Sequence, residues 1–194
     1  MARWRALPRG DGHFITRDSL SLWYTISGKG PPLVVPTPGW GASSDLYMRS
    51  LIPLEGSFSV IYFDTRGAGR SDAPPEDCGY VFKYFLDDLE ALHLHLQFHE
   101  WFVCAHSDAS LQATMYAIKY RKACRGIFIV DGTVNNDDKE YERDRAKRMR
   151  RPSRQPWYAA ANTALNRIRN QTKNSRRALL ALGYRCILLA TALP

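Results

Sequence analysis

The chain has 194 residues, enough for one domain with a buried core, and its 45% hydrophobic and 24% charged residues are ordinary for a globular protein. Its net charge of +8 is unevenly placed: residues 1–135 hold 13 Lys/Arg against 14 Asp/Glu, whereas residues 136–194 hold 14 against 5. A nucleic-acid-binding fold carries its cations on a face of the folded domain, so basicity confined to the tail argues against nucleic acid as a partner.

In chain order, Phe14–Thr16 and Leu20–Ile26 read as two arms of a hairpin that turns at Arg17-Asp18-Ser19. The Gly- and Pro-rich stretch 28–32 breaks that pattern. Leu33–Val35 then reads as a short buried strand, followed by a Gly/Pro loop from Pro36 to Gly41. Ser43 or Ser44 is placed to cap a helix reaching about Ile52. Ser59–Phe63 is the next strand and ends at Asp64. Between Tyr80 and Phe98, Phe82, Phe85, Leu86, Leu89, Leu92 and Leu96 recur with the helical period and share one face. Trp101–Cys104 predicts a strand. Ala109–Tyr120 predicts a helix with Leu111, Met115 and Ile118 facing inward, and Gly126–Val130 a strand stopping at Asp131-Gly132. Short apolar strands alternating with helices predict an α/β fold whose sheet is largely parallel and buried on both faces.

Past Val134 the style changes. A dense charge run, Asn135–Arg151, is interrupted by Pro152 and Pro156; Asn162–Lys173 is polar and basic, and Arg176–Pro194 turns apolar again. The expected division is a core over residues 1–134 and a basic, cap-like helical region or aberrant tail over 135–194. Arg145–Arg151 is expected on an exposed helix face, although it also has the composition of a nuclear-localisation patch. No internal repeat is visible. Cys78, Cys104, Cys124 and Cys186 show no paired spacing, and no clustered Cys/His set offers a metal site. No stretch approaches the roughly 20 apolar residues of a membrane span, and Met1–Pro8 lacks the apolar run of a signal peptide. These features predict a cytoplasmic protein without metal or cofactor.

The sharpest chemical signal is Cys104-Ala105-His106-Ser107-Asp108-Ala109, where a strand runs directly into a helix with a serine at the turn. A nucleophile on such a bend needs small residues two before and two after, because strand and helix pack against each other there. Here both are alanine, where glycine is usual. Two further blocks precede it, each after a strand: Pro36-Thr37-Pro38-Gly39-Trp40-Gly41, and Asp64-Thr65-Arg66-Gly67-Ala68-Gly69-Arg70-Ser71.

On these three blocks, in this order, the chain resembles the α/β-hydrolase superfamily over about residues 11–135. It is similar to the branch containing proline iminopeptidase and small esterases. The resemblance implies Ser107 as the nucleophile and the backbone N–H groups of Trp40 and Asp108 as the oxyanion hole. It also implies that the Asp64–Ser71 block closes a structural loop beside the site. Serine at the elbow, in place of aspartate, implies acyl transfer on a small-molecule ester, thioester or amide. Two positions depart from the pattern: Pro38 stands for the loop histidine, and Asp108 stands where iminopeptidases usually carry tryptophan.

The order of the triad in this fold is serine, acid, histidine, and serine needs an adjacent base. The five histidines are His13, His93, His95, His99 and His106; none follows Ser107. His106 is expected to pack under the turn, His93, His95 and His99 to be solvated at a helix end, and His13 to lie at a strand edge. Asp131 is the candidate acid, with turn capping as its alternative. Asp87, Asp88 and Glu90 are expected on a solvated helix face. The expectation is therefore a serine hydrolase in incomplete form, lacking its catalytic histidine and its last strands. The alternatives are a non-catalytic relative that binds a ligand or partner, and a chain that cannot fold alone.

Overall fold

A computed structural model describes residues 9–38, 41–75 and 77–132, with Arg143, Ala159 and Thr163 as isolated helical positions beyond them. The expected boundary at 134/135, the charge run, the apolar tail and Cys186 lie outside the described residues, as do Gly39 and Trp40. The strands are β1 (Gly10–Ile15), β2 (Ser21–Gly28), β3 (Pro32–Pro36), β4 (Ser59–Phe63), β5 (Trp101–His106) and β6 (Cys124–Val130). The α-helices are α1 (Asp45–Met48), α2 (Phe82–His95) and α3 (Ala109–Lys119).

Together the strands form a sheet in the order β1-β2-β4-β3-β5-β6. The β1–β2 and β2–β4 pairs are antiparallel, and β3–β4, β3–β5 and β5–β6 are parallel. The hairpin turns where expected: Ser19 takes a φ of +65°, and the Thr16 hydroxyl donates to Asp18 at 2.6 Å. Parallel neighbours require crossovers, which α1, α2 and α3 supply in turn. From β3 the chain winds to β4, then returns past β3 to β5. Right-handed crossovers in opposite directions place their helices on opposite faces. Loops leaving the carboxyl ends of β3 and β5 therefore diverge, and such a switch point is where open α/β sheets hold ligands.

Side-chain alternation divides each central strand between two cores. Val34, Ile61, Phe63, Trp101, Val103 and Ala105 pack under α2 and α3. Leu33, Val35, Val60, Tyr62 and Cys104 pack against Tyr47 of α1 and its following turn. The five predicted apolar residues within α2 are buried, as is the sixth, Leu96, at its C-cap.

Other expectations are corrected. The helix after Ser44 ends at Met48, and a separate 3-10 turn covers Ile52–Gly56 because Pro53 cannot donate to a continuing helix. Ser44 makes no side-chain cap; its N–H donates to Asp64 Oδ1 at 2.6 Å. On α3 the buried face is Ala109, Ser110, Gln112, Ala113 and Tyr116; of the three residues expected inward, Leu111 and Met115 pack partly buried against the core, while Ile118 is 62% exposed. Where the helix lies closest to the sheet beside the bend, Ala109 and Ala113 take the inner positions, and Gln112 and Tyr116 are buried next to them. At the other side of β6, Phe128 and Val130 remain exposed, and among the described residues no strand flanks that edge.

Candidate active site

Ser107 is the first of the two residues that join the end of β5 to the start of α3, and is half-buried. Its φ is +54°, a left-handed conformation that costs a side chain about 1–2 kcal/mol and persists only where neighbours hold it. The N–H of Ser107 donates to the Val130 carbonyl at 3.2 Å. On the helix side its carbonyl accepts the Ser110 N–H at 3.0 Å and the Ser110 hydroxyl. Ala105 and Ala109 are fully buried on either side of the bend. Larger side chains there would force α3 off the sheet, which is the physical content of the small-x-Ser-x-small pattern.

Asp108 has helical backbone angles (φ −60°, ψ −27°) and opens α3. First-turn amides have no acceptor within their helix, so the electropositive end of α3 lies beside Ser107. Trp40, the other expected donor, lies outside the described residues, but both flanks of its loop are fastened. Thr37 is buried; its N–H donates to the Phe63 carbonyl at 3.0 Å, and its hydroxyl lies 2.8 Å from that of Thr65. Downstream, Asp64 accepts the Ser44 N–H at one oxygen and the Arg70 N–H (2.9 Å) and Nε (3.1 Å) at the other. Gly69 has a φ of +51°, and a Cβ there would collide with the Asp64 carboxylate. The Arg70 guanidinium extends the tie to Asp45 at 3.0 Å and stacks 3.5 Å from the Trp23 ring centre.

A second hub was invisible in the sequence. Arg66 is 1% exposed and bonds Asp88 through Nε (2.7 Å) and Nη2 (2.6 Å), Asp18 through Nη1 (2.9 Å), and the Gly79 carbonyl (2.8 Å). Burial pushes the Asp88 carboxyl up to about 6, with Arg66 opposing. Asp87, Asp88 and Glu90 thus do not share a solvated face. Asp88 is buried under Arg66, Asp87 accepts from Lys119 (2.7 Å) and Tyr120 (3.0 Å), and Glu90 accepts from Tyr116 at 2.6 Å. Among the described residues no His/Cys/Asp/Glu group is arranged to hold a metal.

Asp131 follows β6 with a φ of +46° and an exposed side chain. The β5–β6 register pairs His106 with Val130, which brings the backbone of Asp131 level with Ser107, one strand spacing of about 4.8 Å away. Gly132 then packs on Ser110, where a Cβ would clash.

None of the histidines brings an imidazole to Ser107 by these contacts. His106 turns to the α1 face, with Nδ1 3.2 Å from the Tyr47 hydroxyl. His93 is not solvated as expected: it is buried, its ring centre 5.0 Å from that of Trp101, and burial lowers its pKa. Trp101 starts β5, so six strand steps separate it from Ser107 by about 20 Å. The exposed His99 lies at that same end. His95 bonds the Tyr24 hydroxyl at 3.1 Å, and His13 lies exposed on the outermost strand β1, four strand spacings from β5.

Among the described residues, a six-stranded, mostly parallel sheet with a strained serine bend at its switch point is the arrangement of a hydrolase-type α/β fold. The family model for the alpha/beta hydrolase fold matches residues 32–187, and the chain belongs to that family. A curated proline iminopeptidase from Saccharolobus solfataricus is 32% identical over 111 residues, covering 56% of this chain and 36% of that protein. A solved proline iminopeptidase-related protein from Thermus thermophilus aligns with a TM-score of 0.61 at 23% identity, over 66% of this chain and 46% of that one. An esterase from Rhodococcus sp. aligns with a TM-score of 0.58 at 26% identity, over 64% and 46% respectively. The chain thus spans about a third of that curated relative and less than half of these structures. No described helix is long and apolar enough to cross a membrane.

Proposed function

We propose that Ser107 is the nucleophile of a serine hydrolase that transfers the acyl group of a small-molecule ester, thioester or amide. The observation that carries this reading is the left-handed backbone of Ser107 at the strand-to-helix bend beside the N-terminus of α3. In the proposed reaction Ser107 Oγ attacks the carbonyl carbon while a base takes its proton. The amides of Asp108 and Trp40 hold the developing oxyanion, each such donor supplying roughly 3–4 kcal/mol. Asp131 is proposed as the acid that orients the base, its level position beside Ser107 supporting the role. The base itself would lie outside these 194 residues, since the five histidines have other places. Action in the cytoplasm belongs to the same proposal, supported by free thiols at Cys104 and Cys124. So does the division into a core over 1–134 and a cap-like region over 135–194.

A fluorophosphonate probe tests the reading. The wild type is expected to carry one adduct, absent in Ser107→Ala and retained in Ser110→Ala. A folded wild type that takes no adduct would remove the nucleophile from the account. The placement of the histidines favours one other reading, a non-catalytic relative that binds its ligand at the same crevice. That protein would bind saturably, turn over no generic ester, and be indifferent to Ser107→Ala.

A further inference from the structure

We propose that Tyr47 is a positioning residue for the Ser107 bend, acting through His106. The inference rests on Ser107 being the nucleophile. His106 is the last residue of β5, and its ring lies on the α1 side of the sheet, two residues beyond Cys104. There the Tyr47 hydroxyl meets Nδ1 at 3.2 Å, and the two rings stand edge to face with centres 6.0 Å apart. Tyr47 is 7% exposed and is the buried residue of α1. Burial pushes its phenol up to about 12, so a neutral hydroxyl faces the imidazole at ordinary pH. A phenol that donates to Nδ1 leaves the ring proton of neutral His106 on Nε2.

Tyr47 is itself well anchored. Its N–H donates to the Ser44 carbonyl at 2.8 Å, and the Ser44 N–H donates to Asp64 at 2.6 Å. Its own carbonyl accepts the Leu51 N–H at 2.9 Å and the Ser50 hydroxyl at 3.1 Å. The segment leaving the Trp40 loop is thereby joined, through Tyr47 and His106, to the residue just before the nucleophile. Ser107 holds an unfavourable backbone angle, so the direction in which the strand enters the bend decides where Oγ points. Ser110 fixes the bend from the helix side, and the Tyr47–His106 contact fixes it from the strand side. Loss of such positioning slows reaction more than it weakens binding.

Saturation kinetics of fluorophosphonate labelling test this. Ser107 Oγ bonds to phosphorus as the P–F bond breaks; fluoride leaves and the hydroxyl proton passes to water or buffer base. Tyr47→Phe, checked as folded by its melting curve, is expected to lower the limiting rate roughly tenfold, at an unchanged half-saturating concentration. The ¹⁵N signals of His106 are expected to move from the Nε2-protonated tautomer toward a mixture. If Tyr47→Phe does not fold, His106→Asn, whose amide oxygen still accepts from Tyr47, should keep a near-normal limiting rate that His106→Leu loses. A Tyr47→Phe protein labelled at the wild-type limiting rate, or equal rates in the two His106 variants, overturns the inference and leaves Ser107 in its role. A folded wild type that does not label overturns both.

Discussion

Ser107 carries a backbone angle that disfavours any side chain, so glycine and alanine at this position separate geometry from chemistry. Both remove the hydroxyl, but only glycine relieves the left-handed strain. Ser107→Gly is expected to be more stable than Ser107→Ala by about 1 kcal/mol in urea unfolding; the opposite order would show that the bend is relaxed in solution. Asp88 allows a second test, through pH. Its folded pKa, about 6, lies above the ordinary 3.8, so the folded protein holds this proton more tightly than the unfolded chain does. Its contribution to stability therefore grows as pH falls from about 6 toward 3.8 and is flat below. Asp18 and Asp87 work in the opposite sense. Burial opposes their ionisation, but bonds from Arg66 and Lys119 hold both below the ordinary value. Their contribution is present above that value and is lost as pH falls through their folded pKa. The stability difference between wild type and Asp88→Asn should increase from pH 7 to pH 4.5. A difference that stays level or shrinks would contradict the burial argument. Arg66→Ala strands two carboxylates and is expected to cost about 3–5 kcal/mol in the same measurement.

The elements differ in how readable they were, and the reason is side-chain size. In α2 the inner stripe is made of Phe and Leu, so the periodicity of large apolar residues pointed to the correct face. In α3 the same rule selected Ile118, which faces outward, because this helix must approach β5 closely enough to form the bend and does so with Ala109 and Ala113. The two positions therefore respond oppositely to substitution. Ala113→Leu overpacks the interface and is expected to destabilise by about 1–3 kcal/mol, whereas Ile118→Ser should stay within about 0.5 kcal/mol. Similar costs at both would mean the helix is rotated from the position described. Polar partners across elements were also illegible. Asp88 looks solvated beside Asp87 until Arg66, twenty-two residues away, is folded onto it. His93 looks like a helix-end histidine until α2 docks on Trp101.

At the scale of the molecule, strand order places Ser107, the start of α3 and the Asp131 backbone at one end of the sheet. The same order sends the histidines to the opposite end, to the far edge, or to the face behind the bend. The alternation of strands and helices and the serine bend were readable because strand–turn–helix grammar is local. The distribution of the imidazoles was not, because it depends on which strands become neighbours. The proposed nucleophile, with no imidazole brought to it by the described contacts, should depend on a base from solution. The most direct measurement is therefore the rate and site of fluorophosphonate labelling with and without added imidazole, followed by peptide mapping. The account predicts a single adduct on Ser107, formed at a rate that rises with imidazole concentration. An adduct on another residue, or no adduct on a folded protein at any imidazole concentration, would contradict it.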